Sequence, residues 1–144
     1  MICIVDIDGT LALRNSRDPY DYESAGQDIP NGSVVRVVRI LKSAGCSIVY
    51  FTGRKERLSN GVSTRQVTQQ WLDEHVAIPG PLYMRRERDD RRDSVVKAEM
   101  LALLLREMNC GKDNILCVID DRKQVVDMWR SKGLLCLDVA GYTN

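Results

Sequence analysis

The chain has 144 residues, 44% of them hydrophobic and 28% charged, with a formal net charge of +1. That length suits one domain over 1–144 with a proper core, the composition excludes a disordered or fibrous chain, and the balanced charge excludes nucleic-acid binding driven by bulk charge. No apolar run reaches membrane-spanning length and no signal-peptide pattern opens the chain.

The first apolar run, residues 2–5, reads as a strand that begins too early to leave room for a preceding domain. It empties into Asp6-Ile7-Asp8-Gly9-Thr10. Residues two apart on an extended chain share a side, so Asp6 and Asp8 converge. Like charges held that close call for a cation or a proton between them, which makes metal-assisted phosphoryl transfer the expected chemistry. A helix follows, with Val34, Val35, Val38 and Leu41 on one face, Ser33 as its cap and Gly45 as its stop. The next strand is 47–51, then a helix over 63–76 with Pro79 beyond it, and a strand over 82–84. An apolar helix covers 95–108, a strand 115–119, a helix 122–132 and a last strand 134–139.

Continuous apolar strands alternating with helices predict an α/β fold, a Rossmann-like doubly wound parallel sheet buried on both faces. Ligands on such sheets bind at the carboxyl ends of the strands. Four segments are thereby expected to meet: Asp6 and Asp8, then Thr52-Gly53-Arg54, then Arg85-Arg86, and last Asp120-Asp121-Arg122. Lys97 is expected in the first turn of its helix, where a cation opposes the helix dipole and so implies a nearby anion. Asp93 is expected to cap that helix, and Asp120 can cap the one after it.

Five cysteines show no metal-type spacing, which favours reduced thiols inside a cell. Fifteen of the twenty-one basic residues are arginine, the side chain that grips phosphate in a bidentate fork. The run from Arg85 to Arg92 is interleaved with acids, so only Arg85 and Arg86 are expected to follow a phosphate backbone. Trp71 and Trp129 lie at core spacing, and His75 sits at a helix end. Tyr20 and Tyr22 suit base stacking and loop packing equally.

These residues carry a resemblance. Asp6-Ile-Asp8-Gly-Thr-Leu, Thr52, Lys97 and Asp120-Asp121 resemble the signature motifs of haloacid dehalogenase-like (HAD) phosphohydrolases. Asn15-Ser-Arg17-Asp-Pro19-Tyr20-Asp21, Thr52-Gly53-Arg54, Arg92-Asp93-Ser-Val-Val-Lys97 and Ile119 to Arg130 are similar to the 3′-phosphatase domains of bacteriophage polynucleotide kinase-phosphatases.

The resemblance implies Asp6 as nucleophile forming an aspartyl-phosphate, Asp8 as general acid and base with a raised pKa, and Thr52 and Lys97 as phosphate-side donors. It implies Mg²⁺ held by Asp6, the Asp8 backbone carbonyl, and Asp120 or Asp121. Asp93 becomes a support for Lys97 or a metal-bound water. Arg17, Gly53, Arg54, Arg85 and Arg86 become candidates for substrate binding.

Neither insert between the motifs is large enough for a cap domain, so the minimal cap leaves an open site suited to a DNA or RNA 3′-phosphate end. A nucleotidase or other small-molecule phosphatase is the alternative. No phosphate-loop motif occurs, so ATP use is not implied. The resemblance further implies a phage-encoded protein acting in the cytoplasm of its host, without a membrane partner.

Overall fold

Parallel strands alternate their side chains between two faces, and here that alternation decides which helix supplies which functional group. The computed structural model describes residues 1–143. In chain order the elements are β1 (Ile2–Asp6), β2 (Ala12–Leu13), β3 (Ile29–Pro30), α1 (Gly32–Ser43), β4 (Ser47–Glu56), β5 (Leu58–Ser59) and β6 (Val62–Ser63). There follow α2 (Thr64–His75), β7 (Leu82–Arg86), α3 (Asp93–Glu107), β8 (Ile115–Asp120), α4 (Lys123–Ser131) and β9 (Cys136–Asp138). The five-stranded sheet has the order β7-β4-β1-β8-β9, and every pairing in it is parallel. The chain winds outward from β1 to β7, then returns to the other side of β1 through β8. The junction between β1 and β8 is therefore the point where the winding reverses and a crevice opens.

On β1, Cys3 and Val5 face the side covered by α1 and α2, packing with Val34, Val35, Val38, Trp71 and Leu72. Ile2 and Ile4 face the other side, against Val96, Met100, Leu101 and Leu104 of α3 and Val125, Val126 and Trp129 of α4. Both tryptophans are buried, as their spacing predicts. Among the described residues no helix is long and apolar enough to cross a membrane.

Several boundaries differ from the sequence expectation, each for a local reason. The N-cap position of α1 is Asn31, because the chain is extended there and turns helical at Gly32, two residues before the apolar stripe begins. α3 starts at Asp93 instead of residue 95, which places Lys97 in the second turn and makes Asp93 the first helical residue. β4 runs on to Glu56 through a register shift after Thr52, so Thr52-Gly53-Arg54 extends the strand where a loop was expected. Beyond it, Asn60 and Gly61 both take positive φ (52° and 75°) and turn β5 back into β6. An Asn-Gly pair is the residue choice such a two-residue turn favours.

Leu104 is wholly buried whereas Ile40 on α1 is 67% exposed. Leu104→Ala should cost about 2–5 kcal/mol in urea unfolding, and Ile40→Ala less than about 0.5 kcal/mol.

Candidate active site

Side-chain parity builds the floor of the site. Asp6 continues the Ile2–Ile4 face of β1, and Asp120 continues the Val118 face of β8, both toward α3. Lys97 occupies an inward position of α3 beside Val96, Met100 and Leu101. Its Nζ donates to Asp6 Oδ1 at 2.7 Å and to Asp120 Oδ2 at 2.9 Å, and all three side chains are nearly inaccessible. Burial alone would lower the Lys97 pKa, but Asp6 and then Asp120 outweigh it and keep the ammonium charged.

Asp121 completes the acidic group. Carboxylate oxygens of Asp6, Asp120 and Asp121 lie within 4.8 Å of one another. Thr10 Oγ1 donates to Asp6 Oδ2 at 2.8 Å and sits 3.4 Å from Asp121 Oδ1. Gly9 makes room for this approach: it holds φ at +80°, and a Cβ there would lie 2.1 Å from Asp121 Oδ2. Burial, then the charge of Asp120, push the Asp6 pKa well above the usual carboxylate range against the pull of Lys97. Burial also raises Asp121. A cation among the three would oppose that rise: with all three ionised they exceed the Lys97 charge by two, and an all-oxygen donor set of that charge fits Mg²⁺.

Asp8 belongs to a separate group. Arg54 donates to its two oxygens through Nε and Nη2, each at 2.8 Å, and Arg17 Nη2 reaches it at 3.1 Å. Both guanidiniums also bind Asp28, Arg17 at 2.7 and 2.8 Å and Arg54 at 3.2 Å. Arg54 further donates to Thr68 Oγ1 at 3.0 Å. Burial would raise Asp8, but the bond and charge of Arg54, followed by the charges of Arg17 and Lys97, hold its carboxyl below the usual range. The raised pKa expected for Asp8 is thus overturned in this state, because the expectation counted the neighbouring carboxylate and not the two arginines. The Asp8 carboxylate also lies outside the group of Asp6, Asp120 and Asp121 whose oxygens could share a cation.

Asp28, which the sequence did not single out, is the buried anchor of this pair. It lies in a loop with no motif around it, and its burial comes from Trp71, whose Nε1 donates to the Asp28 carbonyl at 2.8 Å. Thr10, part of the Asp6-to-Thr10 motif but with no role of its own in the sequence reading, bonds Asp6 directly.

Arg85 takes a different position from the one expected. It is buried, and its donors go to Asp93, the carbonyl of Gly53 at 2.9 Å, and the carbonyls of Asp89 and Arg91. These four bonds make it a brace between β4, α3 and the segment after β7, and leave one Nη2 hydrogen at the cleft lining. Asp93 holds Arg85 and, through its other oxygen at 2.6 Å, Arg122. Lys97, its expected partner, bonds Asp6 and Asp120 instead. Gly53 permits the close pass of Asp93, since a Cβ there would lie 2.6 Å from Asp93 Oδ1. Arg86 is exposed at the end of β7 and lies outside the cleft lining. Thr52 is fully buried and its Oγ1 accepts from the Arg54 backbone N–H at 3.1 Å.

Above these groups opens a cleft of about 880 Å³, lined by Asp6, Asp8, Gly53, Arg54, Lys97 and Asp121 among others. Tyr22 is buried under the Arg57 guanidinium, whereas Tyr20 is 74% exposed at the cleft wall. His75 rests on Trp71 at the end of α2, away from the cleft.

Residues 1–142 match the family described as the polynucleotide kinase PNKP phosphatase domain. A protein of Autographa californica nuclear polyhedrosis virus, “Putative bifunctional polynucleotide kinase/RNA ligase”, is 30% identical over 129 residues, covering 88% of this chain and 17% of the viral protein. Two solved chains from the Pnkp1/Rnl/Hen1 complex, one described as an RNA repair complex, superpose with TM-scores of 0.81 and 0.79 at 34% and 36% identity. This chain is covered over 98–99% of its length and spans 43% and 46% of theirs, less than half. A D,D-heptose 1,7-bisphosphate phosphatase from B. bronchiseptica, complexed with magnesium and phosphate, shares the fold at 15% identity and a TM-score of 0.67, covering 94% of this chain and 79% of its own.

Two measurements test this geometry. Millimolar Mg²⁺ should raise Tm by binding the folded state, and Asp120→Asn should remove that rise. Because the Asp8 pKa is depressed on folding, its stabilising contribution is complete above the unfolded value near 3.9 and is lost as pH falls through the lower folded value. The unfolding free energies of wild type and Asp8→Asn should therefore differ at pH 7, begin to approach one another below about pH 4 and meet only once pH falls below the folded value.

Proposed function

Since this chain belongs to the polynucleotide kinase PNKP phosphatase-domain family, we propose that it removes the 3′-phosphate from polynucleotide ends, with Asp6 as the nucleophile and Mg²⁺ as cofactor. The observation that carries this reading is the buried Asp6 carboxylate, fixed by Lys97 and Thr10 at the floor of an open cleft. Relatives described by polynucleotide kinase, RNA ligase and RNA repair support a nucleic-acid end, RNA before DNA, as the substrate.

Asp6 attacks phosphorus, forming a carboxyl–phosphate bond as the bond to the 3′-oxygen breaks. Asp8 gives its proton to that departing oxygen, then takes a proton from the water that hydrolyses the aspartyl-phosphate. Free phosphate leaves and the Asp6 carboxylate returns. The arginine bonds that keep Asp8 ionised set a condition on this role. The substrate phosphate must draw Arg17 and Arg54 toward itself, releasing Asp8 to carry the proton. Thr52 offers its hydroxyl hydrogen to a phosphate oxygen, since its one bond here uses it as an acceptor. Lys97 keeps Asp6 aimed and its charge compensated. Asp6, Asp120 and Asp121 would hold Mg²⁺, whose charge lets one anion approach another. Asp93 acts at one remove, fixing Arg85 and with it the Gly53 stretch of β4.

With Mg²⁺, 3′-phosphorylated RNA and DNA oligonucleotides should be hydrolysed with kcat/KM at least about tenfold above that of a nucleoside 3′-phosphate. A tenfold margin is about 1.4 kcal/mol, within the range of one base–aromatic stack or phosphate contact. Equal or better turnover of the mononucleotide would move the assignment to a small-molecule phosphatase. Asp6→Asn should abolish turnover, and Asp8→Asn should lower kcat about 10²–10⁴-fold with the circular dichroism spectrum unchanged.

A further inference from the structure

The cations around the cleft divide into two groups. Lys55, Arg54, Arg85, Arg91 and Arg122 each bind a carboxylate, and Arg57 binds the Tyr20 carbonyl beside Glu23. The acidic residues Asp89 and Asp90 on the cleft wall are neutralised in the same way, by Arg91 and Lys55. Arg14 and Arg92 stand apart. Both line the cleft, both are exposed, and neither makes a side-chain hydrogen bond or ion pair among the described residues.

Their backbones are nevertheless fixed. Arg14 directly follows β2, which pairs with β3, and the carbonyl of Arg92 accepts from Val95 and Val96 at the head of α3. A free guanidinium on a fixed backbone suits capture of a phosphate oxygen, and two of them on separate segments suit two successive phosphates. The cleft, at about 880 Å³, is also far larger than a single phosphate group requires. We propose that Arg14 and Arg92 form an upstream subsite that takes the backbone phosphodiesters of the strand leading to the reacting 3′ end. This rests on the polynucleotide-end reading above and deepens it by naming the groups that distinguish a strand from a mononucleotide.

The test compares Arg14→Gln, Arg92→Gln and the double variant on a 3′-phosphorylated octanucleotide and on a nucleoside 3′-phosphate, over a range of salt concentration. Each single change should lower kcat/KM on the octanucleotide about fivefold, through KM, and by less than twofold on the nucleoside 3′-phosphate. Each should also flatten the slope of log(kcat/KM) against log[salt] by about 0.7, the share of one phosphate contact on a single strand. Arg→Lys at either position should retain the slope, since the charge remains. Unchanged octanucleotide kinetics in the Gln variants, or equal losses on both substrates, would overturn the subsite. A wild-type enzyme that does not prefer the octanucleotide would overturn the polynucleotide reading itself.

Discussion

A single buried ammonium holds this site together. Lys97 sits between Asp6 and Asp120, the ends of the two strands where the sheet reverses its winding. Without it, two carboxylates that are almost inaccessible to water would face each other across the β1–β8 junction. Removing one partner of a buried charge cluster is far more damaging than removing an exposed pair. The arrangement demands that α3 pack closely, because the lysine reaches the acids from a core-facing position of that helix. The apolar contacts of Val96, Met100, Leu101 and Leu104 are thus the mechanical support of the charge cluster, and fold and site share one surface.

The second polar layer works differently. Arg17 and Arg54 bridge Asp8 at the cleft to Asp28 in the interior. Each guanidinium divides its bonds between the fully buried Asp28 carboxylate and the partly exposed Asp8 carboxylate, so the buried bonds set its orientation. Arg85 and Asp93 form another such pair one step further out, where Arg85 holds the Gly53 carbonyl of β4.

The strands, the helices and the meeting of Asp6, Lys97 and Asp120 were legible in the chain, because apolar periodicity and strand ends follow from backbone geometry. Partner choice was not. The resemblance implies that Asp93 supports Lys97 or a metal-bound water, yet its carboxylate faces Arg85, a residue placed by β7. Asp28 has no apolar pattern around it, so its burial emerges only when α2 packs over its loop. The β5–β6 turn is encoded in Asn60-Gly61, between two strands too short to form apolar runs. Long-range pairing between charged side chains has no period, and that is the part a linear reading misses.

The two tryptophans give the molecule one more property. Trp129 Nε1 points at Asp120 Oδ2 from 3.4 Å, behind the acidic trio, while Trp71 Nε1 holds the carbonyl of Asp28, behind the arginine pair. Each indole lies in contact with the rear of one functional group and is shielded from solvent. The chain therefore carries an intrinsic fluorophore at the back of each half of its site. In a variant keeping only one of the two tryptophans, the emission would report on one half of the site alone, without an added label.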